Sequence, residues 1–468
     1  MKRAILLIWS LLILLPTASG QDYYRVIKHS RISTGLNEAG AIPYEDEGIV
    51  YITESTSVGA SSPTDPMGRR LFTIFLLEKN GQKKHFREEL VSQKHEGPVS
   101  FSGDFRTMVF SQQRPMTGSR VDPLGLFFAD KDASGNWVNE RAFEFNTPEA
   151  WLFSPSLSQD GRTLYFSANF QDSYGGFDIY RSKLKGGVWT KPENLGPEVN
   201  SGGHELYPFI HPMGRLYFSS DGRDEDKGGF DVFMTAYVEG SWAEAIKLTT
   251  PINSLSDDYQ IWFSEDFKEG YLTSNRRSRS KEIFEIRTDI PEFTTPEPIK
   301  KTYYKYRIFD SNLDTANSEL FRYSWVINDT LEIEGHEIIY EFPDTGTYHL
   351  ALHVFDIQLD TLLVPTTFKT LPIKLAQQPL IECPDTITAG IEVAFDATNS
   401  YLPGFDDNTY LWDFGDGTYD QGRLVAHTFL YPGRYKVTLG VQERKRNRRH
   451  TPEMRSSYKN VVVIRPEQ

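Results

Sequence analysis

The hexapeptide GGFDIY at Gly175–Tyr180 returns as GGFDVF at Gly228–Phe233, and the surroundings repeat with it. RTLYFSA precedes the first copy and GRLYFSS the second, while GGVW and EGSW follow them. A period of about 50 residues means that the chain is assembled from modules that bury their faces against one another. Alignment on the aromatic-rich strand gives five copies: IVYITES around Ile52, TMVFSQQ around Phe110, TLYFSAN around Phe166, RLYFSSD around Phe218 and GYLTSNR around Leu272, at steps of 58, 56, 52 and 54 residues. In three copies a Ser-x-Asp pair stands ahead of that strand, at Ser102/Asp104, Ser158/Asp160 and Ser264/Asp266. Such pairs suit a tight hairpin turn.

Each unit reads as four short strands rich in β-branched and aromatic residues. In the third these are Pro155–Leu157, Thr163–Ala168, Phe177–Lys183 and Val188–Lys191. Four strands per unit is the pattern of a β-propeller blade, so 21–290 is expected to form a propeller of about five blades. The fifth unit stops after KEIFEIR, and the N-terminal YYRVIKHSRISTGLN supplies a strand. Tyr24–Ile32 is therefore expected to close the ring as the outer strand of the last blade, with Leu36-Asn37 matching the Asn200 and Asn253 ends of LGPEVN and LTTPIN. In the GGFD motif, the glycines are expected to let the chain turn tightly. Phe177 and Phe230 should fill the space between blades, and Asp178 and Asp231 should bond neighbouring backbone.

After Ile290, PEFTTPEPIK at 291–300 reads as a linker. Residues 301–375 and 376–468 then form two modules in which Trp325, Phe342 and Tyr348 match Trp412, Phe429 and Tyr435 without a gap. The duplication predicts two related domains.

The chain opens with Lys2 and Arg3, an apolar run from Ala4 to Leu15, Pro16, and small residues up to Gly20. This layout predicts a signal peptide over 1–20, cleaved after Gly20, and export. A dozen apolar residues are too few to span a bilayer, and no other segment reaches that length. A single cysteine, Cys383, allows no intramolecular disulfide, and none near the leader signals a lipid anchor. The formal charge of −14 disfavours polyanionic partners such as nucleic acid.

Four patterns invite a chemical reading. QDSYGG at Gln171–Gly176 imitates a hydrolase elbow around Ser173, but Gln171 stands where glycine is needed and no α/β segment follows. DKDASGN at Asp130–Asn136 opens like a calcium loop, but Arg141 occupies the position of its bidentate glutamate. SDGRDEDKGG gathers Asp221, Asp224, Glu225 and Asp226, and reads as a solvated acidic turn. The ten histidines form no metal-binding spacing, and His204-Glu205 matches His95-Glu96, which favours a structural role. No catalytic, cofactor or metal residue is expected. The candidate interaction surface consists of the basic runs, Arg276, Arg277 and Arg279 in one and Arg444, Arg446 and Arg448 in the other, with Trp151, Tyr207 and Trp262 as aromatics able to stack on sugar rings.

Two resemblances extend this reading. SPSLSQDGRTLYFSANFQDSYGGFDIY resembles the WD40-like repeat of bacterial exported propellers of the TolB kind, also found in Bacteroidota envelope proteins with OmpA-like domains. WDFGDGT and HTFLYPGRYKVTLGV resemble the two signature strands of the PKD domain, and the preceding module is a diverged relative with VINDT in place of the Gly-Asp-Gly turn. The fold class expected is all-β, a propeller followed by two immunoglobulin-like sandwiches serving as a spacer. The resemblance implies a non-catalytic interaction scaffold in the periplasm or on the surface of a Gram-negative bacterium, an accessory of secretion or gliding machinery with envelope or surface proteins as partners. The chain ends without the peptidoglycan-binding domain of those relatives, so wall anchoring is not expected. The rival reading is a protein that binds glycan or lipopolysaccharide.

Overall fold

The computed structural model describes residues 23–54, 70–86, 94–117, 122–223, 229–238, 240–300, 304–309, 320–363, 367–405, 408–444 and 451–466. All regular elements among them are β-strands. Blade one comprises Glu38–Tyr44, Gly48–Glu54, Phe72–Glu78 and Lys83–His85; blade two comprises Glu96–Phe101, Thr107–Gln113, Leu124–Lys131 and Trp137–Ala142. Blades three and four begin with Leu152–Leu157 and Glu205–Ile210, and each is completed by two very short outer strands. Blade five is Asp258–Phe263, Glu269–Ser274 and Glu282–Thr288, closed by Tyr24–Lys28 running antiparallel to the last of these. Each blade's inner strand touches that of the next, and blade five's touches blade one's, so the ring is complete.

The second strands are buried almost throughout because a neighbouring blade covers each face. The five aligned residues hold one register: Ile52 faces Ile74, Phe110 Phe127, Phe166 Tyr180, Phe218 Phe233 and Leu272 Phe284. The Ser-x-Asp turns are likewise identical. In each, the serine hydroxyl donates to the aspartate at 2.6–2.7 Å, and both side chains accept backbone N–H groups of the following residues.

One expectation about the repeat is extended and one corrected. Gly176 and Gly229 of the GGFD motif also permit close approach, since a Cβ on Gly176 would overlap the His204 ring and one on Gly229 the Asp257 carboxylate. The closing segment is also offset from the alignment above. Asn200 and Asn253 each clamp both backbone groups of a third-strand residue, Ile179 and Val232, but the equivalent clamp on Ile283 is made by the Ser33 hydroxyl. Asn37 instead accepts the Lys281 N–H at 2.9 Å, as His204 Nδ1 accepts that of Phe177 and Asp257 that of Phe230.

Beyond the ring lie two sandwiches. The first pairs Lys305–Phe309 with Glu337–Glu341 against a five-stranded sheet around Phe321–Ile327 and Gly346–Asp356. The second sets Glu392–Asp396 and Leu424–Thr428 against a six-stranded sheet around Asn408–Asp413, Gly433–Glu443 and Met454–Ile464. Their kinship is exact in register, Trp325 facing Leu352 and Trp412 facing Leu439. Tyr348 and Tyr435 each donate to a carbonyl four residues back, the corner bond of immunoglobulin-like domains. The stretch read as a linker contributes an edge strand: Glu297–Pro298 runs parallel to Ser457–Tyr458 of the second sandwich.

Candidate functional site

Blade four breaks the turn pattern, and the break marks a joint. His211 stands in the place of Ser158, in a turn one residue shorter, and Arg215 opens the second strand where Thr163 does in blade three. The Arg215 guanidinium is 7% exposed, lies over the Phe267 ring and donates to the backbone oxygen of Asp416, in the second sandwich. The Asp416 carboxylate accepts from the Thr418 N–H at 3.0 Å and faces His427 Nε2 at 3.0 Å. Burial opposes its charge, yet His427, Arg215 and Thr418 hold its pKa below the usual carboxylate value.

Around this polar centre, Tyr24 donates to the Gly417 carbonyl at 2.9 Å and Tyr431 to that of Met234 at 3.2 Å. Tyr217, Phe263, Phe267 and Leu272 of the propeller share one core with Leu411, Tyr419 and Tyr431 of the sandwich. A cleft of ≈ 720 Å³ runs along the seam, between Ile246 and Leu248 of blade four and Glu392, Ala394, Leu424 and Ala426 of the sandwich. The Gly-Asp-Gly turn of WDFGDGT is thus a docking element, and the second sandwich is fused to the propeller rather than acting as a spacer.

His211 is 1% exposed and stacks on Phe267 at 4.1 Å. Its Nδ1 accepts the Met213 N–H at 3.2 Å while Nε2 faces the Ser264 carbonyl at 3.0 Å, a pattern that only the neutral ring satisfies. Burial accordingly pushes its pKa down to about 4.

Strand register shows which face the joint covers. The turns at Ser264–Lys268 and His211–Arg215 join first to second strands, whereas the hairpins that join second to third strands lie at the other end of the ring. That second face carries Arg277 and Arg279, both exposed, with Tyr207 and Trp151, both half-buried near the inner-strand starts. Arg276, grouped with them in the sequence, is withdrawn: it donates to the Pro251 and Ile252 carbonyls and pairs with the fully buried Asp258 at 2.6 Å. Trp262 belongs to the other end of its strand, against Phe209 and Tyr271. Arg444 is exposed on the second sandwich, while Arg446 and Arg448 lie outside the described residues.

The chemical look-alikes are absorbed by structure. The Ser173 hydroxyl bonds the Ala168 carbonyl and the Tyr180 hydroxyl. Asp130 pairs with Arg141 at 2.8 Å, and Asp132 accepts from the backbone of Ser134 and Asn136 in a hairpin turn. Asp221 accepts from the His204 N–H; Asp224, Glu225 and Asp226 lie outside the described residues. His95 and His204 each accept the N–H of the phenylalanine preceding or opening a third strand, Phe72 and Phe177. Sequence reading singled out Glu205 as structural but missed Glu38 and Asp258; all three are fully buried acids that accept from a hydroxyl residue four positions earlier: Ser201, Thr34 and Ser254. Their common spacing was a usable signal.

Comparison with known proteins gives a family for one part of the chain. Residues 376–455 match the PKD domain family. Among solved structures, a luciferin-regenerating enzyme is similar at 11% identity and a TM-score of 0.34, covering 57% of this chain and 96% of that one. A Bacillus subtilis arabinanase is similar at 10% identity and a TM-score of 0.34, covering 55% of this chain and 95% of that one. The extracellular domain of a one-component system protein from B. thetaiotaomicron is similar at 11% identity and a TM-score of 0.30, covering 94% of this chain and 58% of that one. The second sandwich is therefore the part of this chain whose likeness to a known family, the PKD domain, is established by sequence.

Proposed function

We propose that this chain is a non-catalytic, exported binding scaffold of a bacterial envelope, in which the propeller and the second sandwich act as one rigid body. The observation that carries the reading is the asymmetry of the ring. One face is occupied by the sandwich through Arg215, Asp416 and Gly417, while the other presents long hairpins with exposed Arg277 and Arg279. A rigid platform with one committed face and one open face suits a partner that must be held at a fixed angle. The layout of the first 20 residues and the likeness of the repeat to exported WD40-like propellers support export. The buried hydroxyls and carboxylates described above are engaged in turns and blade contacts, which supports a non-catalytic role.

Site-specific photo-crosslinking in the native organism tests it. A crosslinker at position 279 is expected to capture an envelope component, with loss of capture when Arg277→Glu is added, while one at Asp420 beside the seam captures none. Equal capture from both faces would defeat the reading.

A further inference from the structure

Pairing slips at the axis end of all five inner strands, between Ala39 and Ile42, Glu96 and Val99, Phe153 and Ser156, Leu206 and Phe209, and Asp258 and Ile261. Such bulges re-aim side chains. Blades one and two have left-handed glycines there, Gly40 and Gly97, at φ 73° and 77°. Blade four holds Tyr207 left-handed at φ 52°, a conformation that costs a residue with a side chain about 1 kcal/mol or more. Glycine in two blades, and Ser154 at φ 51° in blade three, satisfy the backbone at such a bulge, so the backbone does not call for the large aromatic side chain of blade four.

Tyr207 is one member of a run of aromatics around the axis mouth on the open face. Phe153 meets Phe177 at 4.9 Å and Tyr207 at 6.4 Å; Tyr259 meets Tyr207 at 6.3 Å and Phe230 at 5.4 Å. Except for Tyr259, these rings keep part of their surface exposed. The Lys281 ammonium sits 3.9 Å over Tyr259 and 5.7 Å from Tyr207. Among the described residues it forms no ion pair, so a half-buried cation with three N–H donors stands over the rings, and Arg277 and Arg279 share its hairpin.

We propose that this axis mouth binds acidic sugar residues of an anionic glycan. A pyranose offers an apolar C–H face to stack on the rings and a carboxylate to meet Lys281, which matches an aromatic surface carrying one free positive charge. A formal charge of −14 repels any long polyanion outside this patch, so the ligand is a short acidic segment or chain end entering the mouth, not an extended nucleic acid or polyuronate lying across the ring. The proposal rests on the open face being the binding face, and it adds the class of ligand.

Isothermal titration of the chain from Gln21 onward with tetragalacturonic acid and with neutral galactotetraose tests it. Binding of the acid oligomer is expected, weakening as salt is added, with the neutral oligomer at least tenfold weaker. Lys281→Gln is expected to weaken the acid oligomer about tenfold and Lys185→Gln, at the far end of a third strand, to leave it unchanged. Tyr207→Gly is expected to abolish measurable binding without loss of thermal stability, since glycine relaxes the bulge. Equal affinity for both oligomers, insensitivity to Lys281→Gln, or binding of tetraglutamate but neither sugar would overturn the proposal. If sugars fail to bind while crosslinking from position 279 persists, the ligand class is wrong and the open-face reading stands.

Discussion

At the scale of single residues, one repeat position does different work according to the side chain it carries and what faces it. Serine at 102, 158 and 264 closes a turn within its own blade, whereas His211 in the corresponding place reaches blade five through the Ser264 carbonyl and stacks on Phe267. Because the folded ring is held neutral at a pKa of about 4 and the unfolded ring titrates near 6.5, the unfolded state takes up the proton first on acidification. His211 therefore contributes stability that is complete above pH 6.5 and is lost as pH falls towards 4, about 2 kcal/mol of it by pH 5. Thermal melts from pH 7.5 to 4.5 should show a shallower fall in Tm for His211→Gln than for the parent. Parallel curves would mean that His211 is not the group responsible.

At the scale of elements, the blades are stapled to one another by a small set of bonds repeated around the ring. A backbone N–H that starts a third strand is accepted by His204, Asp257 or Asn37 of the next blade, and the next inner strand returns a bond from Glu205, Asp258 or Glu38 to the carbonyl. At two of these staples the partner comes so close that a Cβ on the preceding residue, Gly176 or Gly229, would overlap it. Gly176→Ala should cost about 2–3 kcal/mol, because its methyl group meets the His204 ring, whereas Gly202→Ala, with open space around it, should stay within about 0.5 kcal/mol. Urea denaturation of the two variants compares them directly, and equal midpoints would count against the staple. The strands themselves were legible from alternation and spacing. The staple was not, because its partners are 27 residues apart in sequence at His204 and Phe177 and 244 apart at Asn37 and Lys281.

At the scale of the whole molecule, the joint decides whether the chain is a string of modules or one body. The Arg215 guanidinium is buried against Asp416 and Phe267, and truncating a buried charge leaves its partner groups without compensation. Calorimetry of the parent should show the propeller and second sandwich melting together. In Arg215→Ala, the joint should lose about 3 kcal/mol and the two units should melt apart. A single unshifted transition in that variant would show that the apolar contacts of Tyr24, Phe267 and Tyr419 suffice alone.

The sequence by itself determined the modules: five blades from a period of about 50 residues, closure by the N-terminal strand, and two related domains from the matched spacings of Trp325 and Trp412, whose sandwich form the likeness of WDFGDGT to the PKD domain implied. Those features are local or repeated, so hydrophobic alternation, turn residues and self-similarity express them directly. It also singled out Tyr207, Arg277 and Arg279 as candidates, without separating them from Arg276 and Trp262. Only the tertiary structure decided that Arg276 is withdrawn, that the sandwich is docked, and which face of the ring the sandwich covers. Those outcomes depend on contacts made once, between residues 18 to 25 positions apart at Arg276 and 201 apart at Arg215 and Asp416, and a contact made once leaves no period to read.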